Sequence, residues 1–318
     1  MKSLKKQPIY VISGPTASGK TALGVKLAQH VGGEVVNFDS VQIYKGIQIA
    51  TAKPSDEEKQ GIPHHLIDYV DPNVNYTAVD WAADAAAKID EIESRGNVPI
   101  LVGGTGFYLR TLMQPLFESP KTDIELRDRL RAIKETKGPE HLHKILKRTD
   151  PVAAAKLFPL DAPRVMRALG VIFQTGEQFS IQQPNRAEPP EFAARIRLFV
   201  LNPPRETLYE KINIRSEQHF ENGLVEEVKL LLGSGVNERG NALGAHGYRR
   251  VCEYLRNERD LESAIEKTKQ DVRNYAKRQL TWFRREETAV WLDGFGDDER
   301  IFSSILGVLD APVYQNSA

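Results

Sequence analysis

Hydrophobic and polar positions alternate in two rhythms over the first hundred residues. Short β-rich runs at Ile9–Ser13, 34–38 and Val98–Val102 are separated by stretches over 20–30 and 77–94, where apolar residues recur every three or four positions. Strand and helix in strict alternation predict a parallel sheet with helices on both faces. The rhythm stops near Pro115 and Pro120. From there to Phe179 only the helical period is legible, and a polar, proline-rich stretch over 182–190 closes the block. Residues 195–201 read as a strand returning to the sheet. After Pro203 and Pro204 the pattern is mostly helical to Arg285, with a late strand over 289–292. The expected organisation is a core in two parts, 1–116 and 191–318, with an all-helical insertion over 117–190. There is no internal repeat and no low-complexity tract.

Composition narrows the class. A chain of 318 residues with 41% hydrophobic and 27% charged residues, at a mean hydropathy of -0.41, belongs with soluble globular proteins and not with disordered or membrane ones. No run approaches the roughly 20 apolar residues of a membrane helix. Lys2, Lys5 and Lys6 precede an apolar stretch over 9–12 that is too short for a signal segment, so a cytoplasmic location is expected. A single cysteine, Cys252, excludes an internal disulfide framework and a cysteine-cluster zinc site.

Charge changes the picture more. The 43 basic and 43 acidic residues sum to zero, yet 121–186 holds 13 Lys and Arg against 8 Asp and Glu, and 269–285 holds 6 against 1. Residues 1–120 hold 11 against 13. Two basic segments can present a phosphate-binding face on a neutral chain.

The strongest chemical signal is Gly14-Pro15-Thr16-Ala17-Ser18-Gly19-Lys20-Thr21, a complete G-x-x-x-x-G-K-[ST] between an apolar strand and a helix. Glycines let successive N–H groups face an anion, and the helix N-terminus adds its positive end. Lys20 neutralises phosphate oxygens and the Thr21 hydroxyl can ligate Mg²⁺. The eight residues therefore form a candidate site for a diphosphate or triphosphate, on a P-loop NTPase-like α/β core.

That loop serves kinases, GTPases, ATPases and some transferases. No N-K-x-D base-reading motif occurs, which argues against a GTPase. The run Val98–Val102 ends in Gly103-Gly104-Thr105-Gly106, without the carboxylate that many ATPases place there. An acid does end the run after the P-loop helix: Asp39, followed by Ser40, Val41, Gln42, Ile43 and Tyr44. A carboxylate at the carboxyl edge of a parallel sheet sits where such folds do chemistry, although a turn-forming aspartate explains it too.

Together with Pro63-His64-His65-Leu66-Ile67-Asp68, Arg164-Val165-Met166-Arg167-Ala168-Leu169 and Tyr275-Ala276-Lys277-Arg278-Gln279, these motifs make the chain resemble the bacterial tRNA dimethylallyltransferases, or tRNA isopentenyltransferases, over nearly its whole length. It departs from their pattern at Phe107, usually Leu, at Gly170, usually Glu, and at His246, usually Ile. The resemblance implies transfer of a dimethylallyl group from dimethylallyl diphosphate to an adenosine amine beside the anticodon of tRNA, with Asp39 as general base and Thr105 holding the base. It implies that Lys20, Mg²⁺ and Arg215 meet the departing diphosphate. It also implies RNA contacts at Asp39, Ser40, Val41, Gln42 and Thr105, at Pro163, Arg164, Val165, Met166 and Arg167, and at Arg127. A small-molecule P-loop kinase is the alternative. A monomer is expected.

Reaching a stacked base requires extruding it, so insertion and core should grip the anticodon stem loop from two sides. On the late helix, Lys269, Arg273, Lys277 and Arg284 or Arg285 recur near helical spacing, with Val272, Gln279 and Phe283 on another face. With the resemblance, that stripe is expected to bind RNA, chiefly through Arg273 and Lys277. Adjacent His64 and His65 lack partners for a metal site and suit anchoring roles. Tyr10, Phe38, Tyr69 and Trp81 read as core.

Overall fold

The computed structural model describes residues 7–309 except 118, 122, 185 and 186. Lys2, Lys5 and Lys6, and Arg186 at the end of the first basic segment, lie outside the described residues. The strands are β1 (Ile9–Ser13), β2 (Gly33–Asn37), β3 (His64–His65), β4 (Val98–Val102), β5 (Ile196–Leu201) and β6 (Val290–Leu292). They form one sheet in the order β3-β2-β4-β1-β5-β6, parallel at every pairing. Strands β1, β2 and β4 are buried at every position, which is why they read as unbroken runs and not as alternation.

The first helices are α1 (Lys20–Val31), α2 (Asp56–Lys59), α3 (Ala78–Ser94) and α4 (Gly106–Met113). The insertion carries α5 (Ile124–Lys137), α6 (Pro139–Thr149), α7 (Pro151–Lys156), α8 (Ala162–Thr175) and α9 (Phe179–Gln182). After β5 come α10 (Arg205–Glu221), α11 (Leu224–Gly233), α12 (Tyr248–Leu255), α13 (Leu261–Phe283) and, after β6, α14 (Glu299–Leu309). Residues up to Met113 and from Pro190 form one compact unit, and Gln114–Pro189 a second.

In the first unit, α1 and α14 cover one face of the sheet through Leu23, Leu27, Ile301 and Ile305. The other face is packed by Trp81, Ala85 and Ile89 of α3, Tyr108 and Leu109 of α4, and Tyr248 and Phe283. Trp81 is fully buried, and its Nε1 donates to Asn37 O at 3.0 Å, which fastens α3 to the end of β2. Phe38 and Tyr10 are core as well. Tyr69 only packs against the core, because its hydroxyl is held at the surface by Asp84 Oδ2 at 3.2 Å.

The second unit is all-helical in its described residues, around Leu130, Leu142, Leu146, Val165, Leu169 and Ile172. Asp150 is fully buried there. Its Oδ1 accepts from Ala153 N at 2.9 Å and Ser180 Oγ at 2.8 Å, and its Oδ2 from Ser180 N at 2.7 Å, tying α7 to α9. Burial raises that carboxyl, and the hydrogen bonds outweigh it and hold it below the ordinary range.

Strand ends differ from the pattern by one residue. Gly33 pairs with Val98 at the start of β2, and Phe38 leaves the ladder while its N–H still reaches Val102 O at 3.0 Å. Arg195 is drawn out of β5 by an ion pair with Glu93 at 2.5 Å. The two-residue β3 has neither length nor apolar character to betray it. A polar cluster pins it instead: Glu34 Oε2 meets His65 Nε2 at 2.6 Å and Arg95 Nη2 at 2.8 Å, while Asn97 Nδ2 donates to Glu34 Oε1 at 2.7 Å. His64 Nδ1 lies 2.8 Å from Ile62 O. Both histidines are thus anchors.

Glu34 is buried, which by itself raises its pKa, but the hydrogen bonds from Asn97, Arg95 and His65 and the Arg95 charge bring it down to about 2 from an ordinary 4.5. A depressed folded-state pKa adds stability above the unfolded value that is lost as pH falls from about 4.5 through 2. Glu34→Gln should therefore cost about 3 kcal/mol at neutral pH, since each tenfold change in proton affinity between folded and unfolded chain is worth roughly 1.4 kcal/mol. Denaturant titrations across that acid range should show the gap between wild type and variant closing; a constant gap would contradict the assignment.

Candidate active site

The loop from Gly14 to Thr21 joins β1 to α1, and Gly19 caps the helix at φ 85, a left-handed value that suits glycine. Lys20 folds back over this loop, its Nζ donating to Pro15 O at 2.6 Å. Burial, with the Arg215 charge added, pushes its ammonium down to about 7, against a smaller opposing effect of Asp39. Arg215, from α10, donates through Nη2 to Thr16 Oγ1, and burial lowers its pKa too, opposed again by Asp39. Ser18 Oγ is buried with no hydrogen-bond partner, and no described residue bonds the Thr21 hydroxyl. Two enclosed cations, a curled backbone and unused hydroxyls form a cradle for a multiply charged anion. The free Thr21 hydroxyl fits a Mg²⁺ carried by such an anion.

Sheet order brings the remaining groups here. β4 lies beside β1, so the 103–106 turn abuts the loop: Gly103 N donates to Ile12 O at 3.2 Å and Ser13 Oγ to Gly103 O at 3.0 Å. β2 lies on the far side of β4, and its end carries Asp39. Asp39 Oδ1 accepts from Val41 N at 2.8 Å and Gln42 N at 3.2 Å, so this carboxylate does shape a turn. Oδ2 takes no hydrogen bond from a described residue. Thr105 Oγ1 accepts from Ser40 N at 3.1 Å and donates to Ser40 Oγ at 3.3 Å, which stitches the two turns together.

Two cavities meet at these residues. One, of about 260 Å³, contains the loop with Lys20 and Thr21; the other, of about 520 Å³, opens between Tyr44, Tyr76, Tyr108, Tyr275, His219 and His246. Thr16, Asp39, Thr51, Arg215 and Tyr275 line both. The aromatic chamber was not legible in the sequence, because its rings come from separate segments. Burial, then the Arg215 charge, push His219 down to about 4, so it is neutral near pH 7. His246 packs on Tyr275 with ring centroids 5.1 Å apart.

Other candidates are placed unevenly. Ser40 and Val41 line the aromatic chamber, whereas Gln42 spends its Nε2 on Thr51 O and Ala52 O, both at 3.0 Å. In the insertion, Arg127, Pro163, Met166 and Arg167 border a cleft of about 350 Å³. Arg164 is exposed and 3.4 Å from Asp161. Val165 corrects the expectation: it is fully buried in the insertion's core, so its side chain cannot meet a ligand. Lys269 is a second correction. It lies on the buried stripe of α13 and pairs with Glu217 and, at 2.6 Å, Glu266. Arg273 is half-buried and bonded to Asn213 Oδ1 at 2.5 Å, while Lys277, Arg278, Arg284 and Arg285 remain exposed without an ion-pair partner among the described residues.

Residues 42–286 match the family described as IPP transferase. The chain belongs to the IPP transferase family. A tRNA dimethylallyltransferase of Geobacter metallireducens is 44% identical over 309 residues, covering 96% of this chain and 99% of that one. The full-length tRNA isopentenylpyrophosphate transferase of Bacillus halodurans superposes with a TM-score of 0.69 at 37% identity, over 96% of this chain and 97% of that one. A eukaryotic dimethylallyltransferase, solved acting on tRNA, gives 0.77 at 28% identity, over 98% and 81%. The fold is thus shared with solved tRNA isopentenylpyrophosphate and dimethylallyl transferases.

If Lys20 and Arg215 are the anion's partners, inorganic diphosphate should bind the whole chain with magnesium present. Lys20→Ala and Arg215→Ala should each weaken it roughly 10- to 100-fold, since a hydrogen bond to a charged group is worth about 1.5–3 kcal/mol. Calorimetric titration reads this directly, and an unchanged Kd for either variant would remove that cation from the cradle.

Proposed function

We propose that this chain transfers a dimethylallyl group from dimethylallyl diphosphate to the exocyclic N6 amine of the adenosine 3′-adjacent to the anticodon in tRNA, releasing diphosphate. The observation that carries the reading is the position of Asp39, on the wall shared by the phosphate cradle and the aromatic chamber. Relatives 43–45% identical to this chain are named tRNA dimethylallyltransferases, so a kinase reading gains no support from them.

In the reaction the bond from N6 to the allylic carbon forms as the carbon–oxygen bond to diphosphate breaks. The proton leaving N6 passes to Asp39 Oδ2, the oxygen not committed to the turn. Lys20, Arg215 and the loop amides receive the charge that grows on the leaving diphosphate. Thr21 would hold Mg²⁺, which when bound neutralises part of that charge. Thr105 orients the incoming base beside Ser40. Tyrosine faces around the chamber suit a planar base and tolerate positive character on an allylic carbon.

RNA would contact cations on each unit: the exposed Lys277, Arg278 and Arg284 on or at the end of α13, and Arg127, Arg131 and Arg167 around the insertion cleft. A monomer is proposed as the working unit. No described helix is long and apolar enough to cross a membrane, and a cytoplasmic location is proposed because the proposed substrate is tRNA.

Incubating anticodon stem-loop RNA with the chain, Mg²⁺ and dimethylallyl diphosphate should raise the RNA mass by one dimethylallyl unit. Asp39→Ala should slow single-turnover transfer on the order of 10²- to 10⁴-fold while RNA still binds, as loss of a general base does. A normal rate in that variant would assign the proton to another group.

The cations of α13 make a separate, paired prediction. Each phosphate contact adds a log-log salt slope of about -0.7 to -0.9, so Lys277→Ala should flatten the salt dependence of RNA affinity by that amount. Lys269→Ala should leave the slope alone and lower the melting temperature, because its charge is spent inside the fold. Filter binding across a salt series, with thermal unfolding alongside, checks both halves; the reverse pattern would restore Lys269 to the RNA face.

A further inference from the structure

Gln279 lies near the C-terminal end of α13 and is 4% exposed. Its amide spans the two turns that flank the site. Oε1 accepts from the backbone N–H of Thr16 at 2.8 Å, and Nε2 donates to Gly104 O at 3.0 Å. One side chain thus satisfies a donor in the diphosphate-binding loop and an acceptor in the turn that carries Thr105. The fit is close: a Cβ on Gly104 would overlap Gln279 Nε2, and a Cβ on Gly106 would come within 2.1 Å of the ring of Trp282, one turn further along the same helix. Arg110 in turn stacks 4.6 Å from the Trp282 ring and pairs with Glu286.

Both bonds reach backbone, so Gln279 sets where the two turns sit and not how their side chains rotate. The transfer needs an attacking nitrogen and a departing oxygen on opposite sides of one carbon. The oxygen's place is fixed by the loop and the nitrogen's by Thr105 and Asp39. We propose that Gln279 is a positioning residue for the reaction: its amide locks the diphosphate loop to the Thr105 turn and so fixes the distance and direction between leaving group and nucleophile. This rests on the function proposed above.

The test uses the whole chain, anticodon stem-loop RNA and dimethylallyl diphosphate, both saturating, in single turnover. Gln279→Leu keeps the volume and loses both bonds. It should slow transfer about 100-fold, the scale of a 1 Å misplacement, while RNA affinity stays close to wild type. Gln279→Glu separates alignment from folding. Protonated, the carboxyl reproduces both bonds, its carbonyl accepting from Thr16 N–H and its hydroxyl donating to Gly104 O; ionised, it has no donor for Gly104 O. The charged and titratable groups lining the same cavity are Lys20 of α1, Asp39 after β2, Glu58 of α2, His64 of β3, Arg215 of α10 and Tyr275 of α13 itself.

Relative to wild type at the same pH, Gln279→Glu should therefore recover as pH falls across roughly 8.5 to 5.5, and Gln279→Leu should not. Wild-type transfer with an unimpaired Gln279→Leu, or a Gln279→Glu that tracks Gln279→Leu at every pH, overturns the positioning role alone. A wild-type chain that leaves the RNA mass unchanged overturns the function reading and this proposal with it.

Discussion

Two enclosed cations facing one carboxylate set the terms for everything at this site. Lys20 has Pro15 O as its hydrogen-bond acceptor, and Arg215 stands close enough to depress it further. An enclosed cation without a full counter-charge is costly, and a cradle held in that condition gains most from an anion of high charge. Asp39 relieves it only in part. One of its oxygens is tied to the amides of Val41 and Gln42, and no ion pair joins the carboxylate to Lys20. The same restraint that leaves the cations hungry leaves Asp39 Oδ2 available.

Strand order is what makes this restraint possible. With β4 between β2 and β1, three consecutive carboxyl ends deliver Asp39, Thr105 and the P-loop side by side. Parallel pairing supplies the coincidence, since every strand ends at the same edge. The sheet alone does not fix the turns beyond its edge to within a fraction of an ångström. That job falls to α13, whose buried stripe runs from Thr268 through Ala276 and Gln279 to Phe283. Along it Ala276 and Phe283 meet apolar neighbours, whereas Gln279 meets the two turns.

Legibility in the sequence followed the range of the interactions. The P-loop, the acid after the second strand and the βαβ rhythm are local, because each depends on residues within one strand–turn–helix unit. Lys269 looked like a surface cation because helical spacing gives an angle and not a neighbour; Glu217, its partner on α10, is remote in sequence. Val165 sits inside a family motif that reads as a contact stretch, yet within α8 its angle points into the insertion's core. The tyrosine chamber had no local signature at all. Aromatic residues scattered over separate segments each look like core until the fold leaves a space between them.

A P-loop without an acid at the end of β4 also bears on which bond is broken. In phosphoryl transfer the attacked atom is phosphorus, and the nucleophile must approach within the cradle, among its cations and metal. Here Asp39 is the carboxylate that, among the described residues, lines both cavities, on the border with the tyrosine chamber, while Glu58 lines the cradle's cavity alone. A base placed there serves a nucleophile arriving from the chamber, attacking an atom that lies beyond the diphosphate and not within it. On the proposed function that atom is an allylic carbon, and the loop would steady a phosphate that leaves, where in phosphoryl transfer it steadies a phosphate under attack.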